Sequence, residues 1–339
     1  MRRLTLITIA AFLGTPAAFA IAQAKAPAAP SYHVQSSIPL ADGGWDLLSF
    51  DPEHGRVVVA RSAAVSVVDL AAGTSRDIGK VARGHTALPI PGTDRIAVTS
   101  GQDNALLVLD ARDGHEIARI AVGQNPDAAF WDPASHQVVV MNAKDGSVSL
   151  VDLLAAKVAK TIAVKPAIEL GAMVGPGLLA INDEDANELE LVDLKVGKSM
   201  TPIKLTGCEG PTGLAYDAAA HMTLSACANG VAALVDIGTL KVVKLLPIGQ
   251  GPDTVLFDAR RQRFLVPCGR SGTLSVFAVS GKHVTPAGTV TTEVGARTAT
   301  LDPATGRVFL PSARFRPAQQ SQRPAMMPGS AHLLVLSPA

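Results

Sequence analysis

Seven positions of this 339-residue chain carry side chains that could act together on one ligand: Asp46, Thr86, Asp127, Glu169, Thr212, Asp253 and Arg297. Each follows a turn, as in "GQNPDAAFWD" and "GQGPDTVLFD", and each is about 42 residues from the next. Four acids gathered at one point would repel one another unless a cation or Arg297 relieved them. Oxygen ligands of this kind suit a hard ion such as Ca²⁺, the cofactor expected at this site, or an amine-bearing small molecule. Trp45 and His85 precede Asp46 and Thr86, where other copies have Pro126, Pro211 and Pro252. Only around His85 can a catalytic His–carboxylate pair be assembled. A plainer reading stays open, because an aspartate after proline often accepts the N–H groups of the following turn. A second set, with Arg61, Asn142 and Arg314 as its ligand-binding candidates and Asn182, Asp183 and Arg270 beside them, recurs after the next β-branched run of each unit.

What would gather these residues is a repeat. The strands "VSVVDL", "LLVLDA", "VSLVDL", "LELVDL", "AALVDI", "LSVFAV" and "LLVLSP" align at Asp69, Asp110, Asp152, Asp193, Asp236, Ala278 and Ser337. Their spacings are 41, 42, 41, 43, 42 and 59 residues, a repeat period rather than an alternation of strands and helices. Each unit holds four short runs rich in Val, Ile and Leu, bounded by Gly, Asp, Asn and Pro, which is strand and hairpin patterning. The fold expected is all-β, a seven-bladed β-propeller with four antiparallel strands per blade. The chain stops after the seventh "VDL"-type strand, so residues 31–41 are expected to supply the last blade's outer strand and close the ring. In a propeller, the loops entering the innermost strands and those joining second to third strands share one face, so both sets would line one polar funnel.

The "GxxPD" turns at Asp127 and Asp253, "CEGPTGLAYD" over 208–217, "VVVMN" ending at Asn142, the "VDL" strands and "GARTATLDP" over 295–303 carry a resemblance. The chain resembles the YVTN-type (YncE-like) β-propeller repeat family of exported bacterial proteins over residues 31–339. It departs from that pattern in the second unit, "GHTALPIPGTD", and the fourth, "AIELGAMVGPG". The resemblance implies the fold and assigns no chemistry.

Arg2 and Arg3, the apolar run 4–13 and the small-residue sites Ala18-Phe19-Ala20 and Ala22-Gln23-Ala24 read as a cleaved signal peptide over 1–24. Residues 25–30 follow as a linker, then the propeller over 31–339 with an insertion at 313–331. A periplasmic or secreted protein with no membrane span in its mature chain is expected. Removing the leader takes the formal charge from +1 to −1, and aromatics are 4% of the chain, which argues against nucleic-acid partners. In an oxidising compartment Cys208 and Cys227, on one blade, are expected to pair, leaving Cys268 free; Cys227–Cys268 is the rival. Met326, Met327 and His332 of the insertion form a weaker soft-ligand set for Cu(I). No nucleophile–base constellation is present, so the reading favours a monomeric exported binding or scaffold protein over an enzyme. Its partner would be a small molecule or a periplasmic protein. The alternative is a lactonase- or hydrolase-type enzyme in which Asp127, Glu169, Asp253 and His85 hold a metal or activate water.

Overall fold

The computed structural model describes residues 32–316 and 325–339; the expected leader and linker lie outside the described residues. Its strands form seven antiparallel sheets, six of them with their strands in sequence order. Blade three is typical, with Pro126–Asp132 innermost, then Gln137–Asn142, Ser147–Asp152 and Lys157–Ala163. The two middle strands are buried on both faces, while Lys157–Ala163 alternates exposed and shielded residues. That contrast explains the continuous "VVVM" and "VSLV" runs beside the alternating "KVAKTIA". Blades one, two, four, five and six span 45–78, 84–121, 168–204, 211–247 and 256–291. In blade four the outer strand is broken: Lys198–Ser199 and Ile203–Lys204 both pair with Glu188–Asp193. Pro202, between them, has no N–H to give to the ladder.

Blade seven is built from both parts of the chain. Thr300–Leu301, Val308–Ser312 and His332–Pro338 form its inner strands, and Tyr32–Pro39 pairs along His332–Pro338 as the outermost. The insertion at 313–331 separates Val308–Ser312 from His332–Pro338, and its residues 317–324 lie outside the described residues. Its two described ends are clipped together, with the Arg316 N–H donating to Ala325 O at 2.8 Å and the Met327 N–H to Arg314 O at 2.8 Å.

Seven apolar clusters hold the sheets, one between each pair of neighbouring blades. One joins Phe309, Leu333 and Val335 of blade seven to Leu48, Val57 and Val59 of blade one. Each blade therefore buries its faces only against its neighbours. Tyr32 is 1% exposed, and its hydroxyl donates to Asp258 at 3.5 Å, which ties the outermost strand to blade six. Cys208 and Cys227 form a disulfide with Cα atoms 5.4 Å apart, and Cys268 is free and buried. Burial raises the Cys268 thiol pKa, so this cysteine behaves as a small apolar residue. No helix of the described residues is long and apolar enough to cross a membrane.

Candidate functional site

Each innermost strand of blades one to five contains one extra residue at its funnel end. In blade one Trp45 pairs with Arg61 and Leu48 with Val59, three steps against two. Blades two, three, four and five repeat this at 84–87, 126–129, 168–171 and 211–214. Such a bulge breaks the ladder locally and re-aims the extra side chain. Here it presents Asp46, Asp127, Glu169 and Thr212 to the central axis. In blade two, Gly84 pairs with Ser100 and Ala87 with Val98. His85 thus occupies the position of Asp127, and Thr86 lies one residue deeper. This corrects the sequence alignment, which put Thr86 on the ring because "GHTALP" lacks the proline that marks the turn. The ring is Asp46, His85, Asp127, Glu169, Thr212, Asp253 and Arg297.

The ring residues meet. His85 Nδ1 lies 2.7 Å from Asp46 Oδ2 and 3.6 Å from Asp127 Oδ1. Arg297 Nε donates to Asp253 Oδ2 at 2.6 Å, and its Nη2 is 3.8 Å from Asp46 Oδ1. One ligand atom each from Asp46, His85 and Asp127 falls within 4.8 Å of the others, close enough to share a metal ion. Glu169 stands on the ring with no ion pair to a described residue. Threonines and an asparagine pin the backbone beneath these side chains. Thr86 and Thr99 hydroxyls both donate to Asp127 O, at 2.8 and 3.0 Å, and the Thr298 hydroxyl to Asp46 O at 3.0 Å. Asn182 Nδ2 donates to Thr212 O at 3.0 Å. Below the ring an axial cavity of about 160 Å³ is lined by Leu47, Ala128, Leu170 and Thr254 among others.

Electrostatics separates these carboxyls from ordinary ones. Burial pushes Asp127 up to about 6, with Asp46 adding and His85 and Arg297 opposing. Asp253 is raised to about 7, chiefly by burial, with Asp46 and Asp127 adding against the pull of Arg297. Glu169 reaches about 9, through burial and the charges of Asp127, Asp253, Glu184 and Asp46. Burial would lower His85, but its hydrogen bond to Asp46 and the charges of Asp127 and Asp46 hold it above its ordinary value. No described backbone N–H donates to the Asp46, Asp127 or Asp253 carboxylates, so they are not turn stabilisers. At neutral pH the ring retains protons that an incoming cation would displace.

The second set does not join the ring. Arg61, 3% exposed, gives its Nη2 to Ala41 O and Gly43 O at 2.6 and 3.1 Å. Asn142 is fully buried, and its Nδ2 donates to Ser147 Oγ and Ser149 Oγ at 3.0 Å. The Arg314 backbone N–H donates to Ser330 Oγ at 3.1 Å, and its carbonyl accepts from the same hydroxyl at 3.2 Å, at the base of the insertion. Trp45 packs against Phe315 at the funnel rim, ring centroids 6.4 Å apart. His332 is engaged as well, with Nδ1 2.7 Å from Ser330 O and Nε2 3.0 Å from Glu293. A second acidic group was not legible in the sequence: Asp183, Glu188 and Glu190 lie together, buried in blade four. Lys165 and Lys204 reach it from neighbouring segments and neutralise most of its charge.

Neither protein-family models nor curated proteins match this chain.

Proposed function

We propose that this propeller is an exported binding protein whose funnel mouth takes a cation, either a hard divalent ion such as Ca²⁺ or a ligand's ammonium group. The observation that carries this reading is the convergence of Asp46, His85 and Asp127, whose ligand atoms lie within 4.8 Å of one another; burial raises the neighbouring Glu169 and Asp253 carboxyls together with Asp127. These raised carboxyls come from three blades and lie at one mouth, where Arg297 offsets Asp253, His85 offsets Asp127, and Glu169 pairs with no cation among the described residues. A rigid ring with a pinned backbone suits recognition, since little conformational freedom is lost on binding. Export is supported by the leader-like segment at 1–24 and by the Cys208–Cys227 bridge. Membership of the YVTN-type propellers is the reading of the "GxxPD" and "VDL" patterns.

Calorimetric titration with CaCl₂, MnCl₂ and putrescine at pH 8 tests the reading. Saturable heat with proton release is expected for at least one cation, and it is lost in the Glu169→Gln/Asp253→Asn double variant. Binding that persists unchanged in that variant, or no binding by any of the three, refutes it.

The Asp46–His85–Asp127 trio favours one second reading, a hydrolase in which a metal held there activates water. Lactone or ester hydrolysis that is lost on chelation and in His85→Gln would support it; turnover surviving both would dismiss it.

A further inference from the structure

Beside the carboxylate ring, between blades six, seven and one, lies a cavity of about 720 Å³. Its walls are Trp45, Val294, Phe315 and Met326, with Arg270 and Arg297 as the charged residues in its lining. Glycines make the room. A Cβ on Gly269 would stand 2.7 Å from the Arg297 Cβ, and one on Gly295, at φ +101°, would stand 2.9 Å from the Phe315 ring. The apolar walls are held in place: Trp45 stacks at a tilt on Phe315, and Phe315 bridges to Met326 across the clipped base of the insertion.

The charge at this cavity is opposite to that of the ring. Two carboxylates next in sequence to or paired with its lining are already engaged, Asp253 with Arg297 Nε at 2.6 Å and Glu293 with His332 at 3.0 Å. Arg297 commits Nε to Asp253 and makes a looser 3.8 Å approach to Asp46 through Nη2, while half of its side chain stays exposed. Arg270 is exposed and has no ion pair among the described residues. Two guanidinium groups over an apolar floor match an oxyanion attached to a hydrocarbon body. Arginine in particular suits a planar carboxylate, which it can grip with two parallel N–H groups.

We infer that this cavity binds an amphipathic carboxylate, with its apolar body against Trp45, Phe315 and Met326 and its carboxylate on Arg270 and Arg297. This site is distinct from the cation mouth and shares with it only Arg297. A ligand bearing both an amine and a carboxylate could span the two.

The chain has two tryptophans, so in a Trp131→Phe background Trp45 emission reports on this cavity alone. Octanoate, octanol and octylamine are the probes. Octanoate is expected to shift Trp45 emission saturably and to bind at least tenfold more tightly than octanol or octylamine. Arg270→Gln should weaken octanoate at least tenfold, and Val294→Glu, at a residue 60% exposed, should abolish the response by adding an acid to the wall. Both substitutions are at exposed positions and leave the core intact. Equal binding of the three probes, an unchanged octanoate affinity in Arg270→Gln, or no emission change at all overturns the inference. Cation binding at the ring is measured in the same Arg270→Gln protein and should be unaltered, so either site can fail without the other.

Discussion

The strand Pro126–Asp132 carries an aspartate near each end, and the two have different fates. Asp132, at the far face, accepts the N–H groups of Ala134 and Ser135 at 3.1 and 3.2 Å and the Ser135 hydroxyl at 2.6 Å. Asp127, at the funnel, accepts no described backbone N–H and faces Asp46 across His85. The pattern recurs around the disc. Asp51, Asp217, Asp258 and Asp302 each accept the N–H groups two and three residues ahead. Although burial works against it, the Asp302 carboxyl is held below its ordinary range by Thr305 and those N–H groups. Asp253, five residues before Asp258, is raised to about 7. In the pairs Asp46 and Asp51, Asp127 and Asp132, and Asp253 and Asp258, residue type and spacing are the same. What differs is the supply of donors: a tight turn turns its N–H groups on a neighbouring carboxylate, whereas the funnel end leads to the axis, where other blades bring carboxylates.

Substitutions at the two ends should therefore act in opposite directions. Asp258→Ala removes the acceptor of two turn N–H groups, the Tyr32 hydroxyl and Arg261, and should cost about 3 kcal/mol. Urea unfolding measures this, and a loss no greater than that of an ordinary surface substitution would erase the contrast between the two ends. Glu169→Gln should do the reverse and stabilise the cation-free protein. A carboxyl whose folded pKa is above its unfolded value holds its proton more tightly when native, so stability falls as pH rises between the two values. For Glu169 that window runs from 4.5 to about 9. His85, also raised, contributes stability below 6.5 that is lost as pH climbs through its folded value, so the two slopes have one sign. Thermal unfolding from pH 5 to pH 9 should show the decline in the parent protein and a shallower one in Glu169→Gln, whose Tm at pH 9 is higher by roughly 3 °C. A steeper decline in the variant would reverse the assignment.

Two smaller effects sharpen the comparison. Asp46→Asn removes the carboxylate that His85 leans on, so NMR titration should find the imidazole losing its proton at a lower pH than in the parent. An unmoved titration would mean that Asp127 alone sets the histidine. Asp132→Asn keeps one acceptor oxygen for the turn and should cost about 0.5 kcal/mol by urea unfolding. A loss as large as that of Asp258→Ala would show that turn geometry, not the depth of burial, sets the cost.

Much of this architecture was readable from the chain. The period near 42 and the short apolar runs specify seven four-stranded sheets, and the Cys208–Cys227 pairing follows from two cysteines on one blade. The site was readable only in part. Pro126, Pro211 and Pro252 mark the positions before Asp127, Thr212 and Asp253, but Gly84 replaces proline in blade two, so the sequence pattern points to Thr86 instead of His85. Register there is set by the pairing of Gly84 with Ser100 and Ala87 with Val98, which no local pattern announces. Arg61 and Asn142 looked equivalent to ring residues because they border the same face. Yet each is consumed by a nearby backbone or hydroxyl group, a matter of distances between segments.

The sequence by itself determined the repeat, the strands and the approximate positions of the polar residues, because side-chain alternation and turn chemistry act over a few neighbours. Tertiary structure alone decided which carboxylates lack donors, that His85 belongs to the ring, and that a cationic apolar cavity lies beside an acidic mouth. Burial and Coulomb repulsion depend on groups from blades that lie far apart along the chain, and only the closed packing of the sheets brings those groups within range of one another.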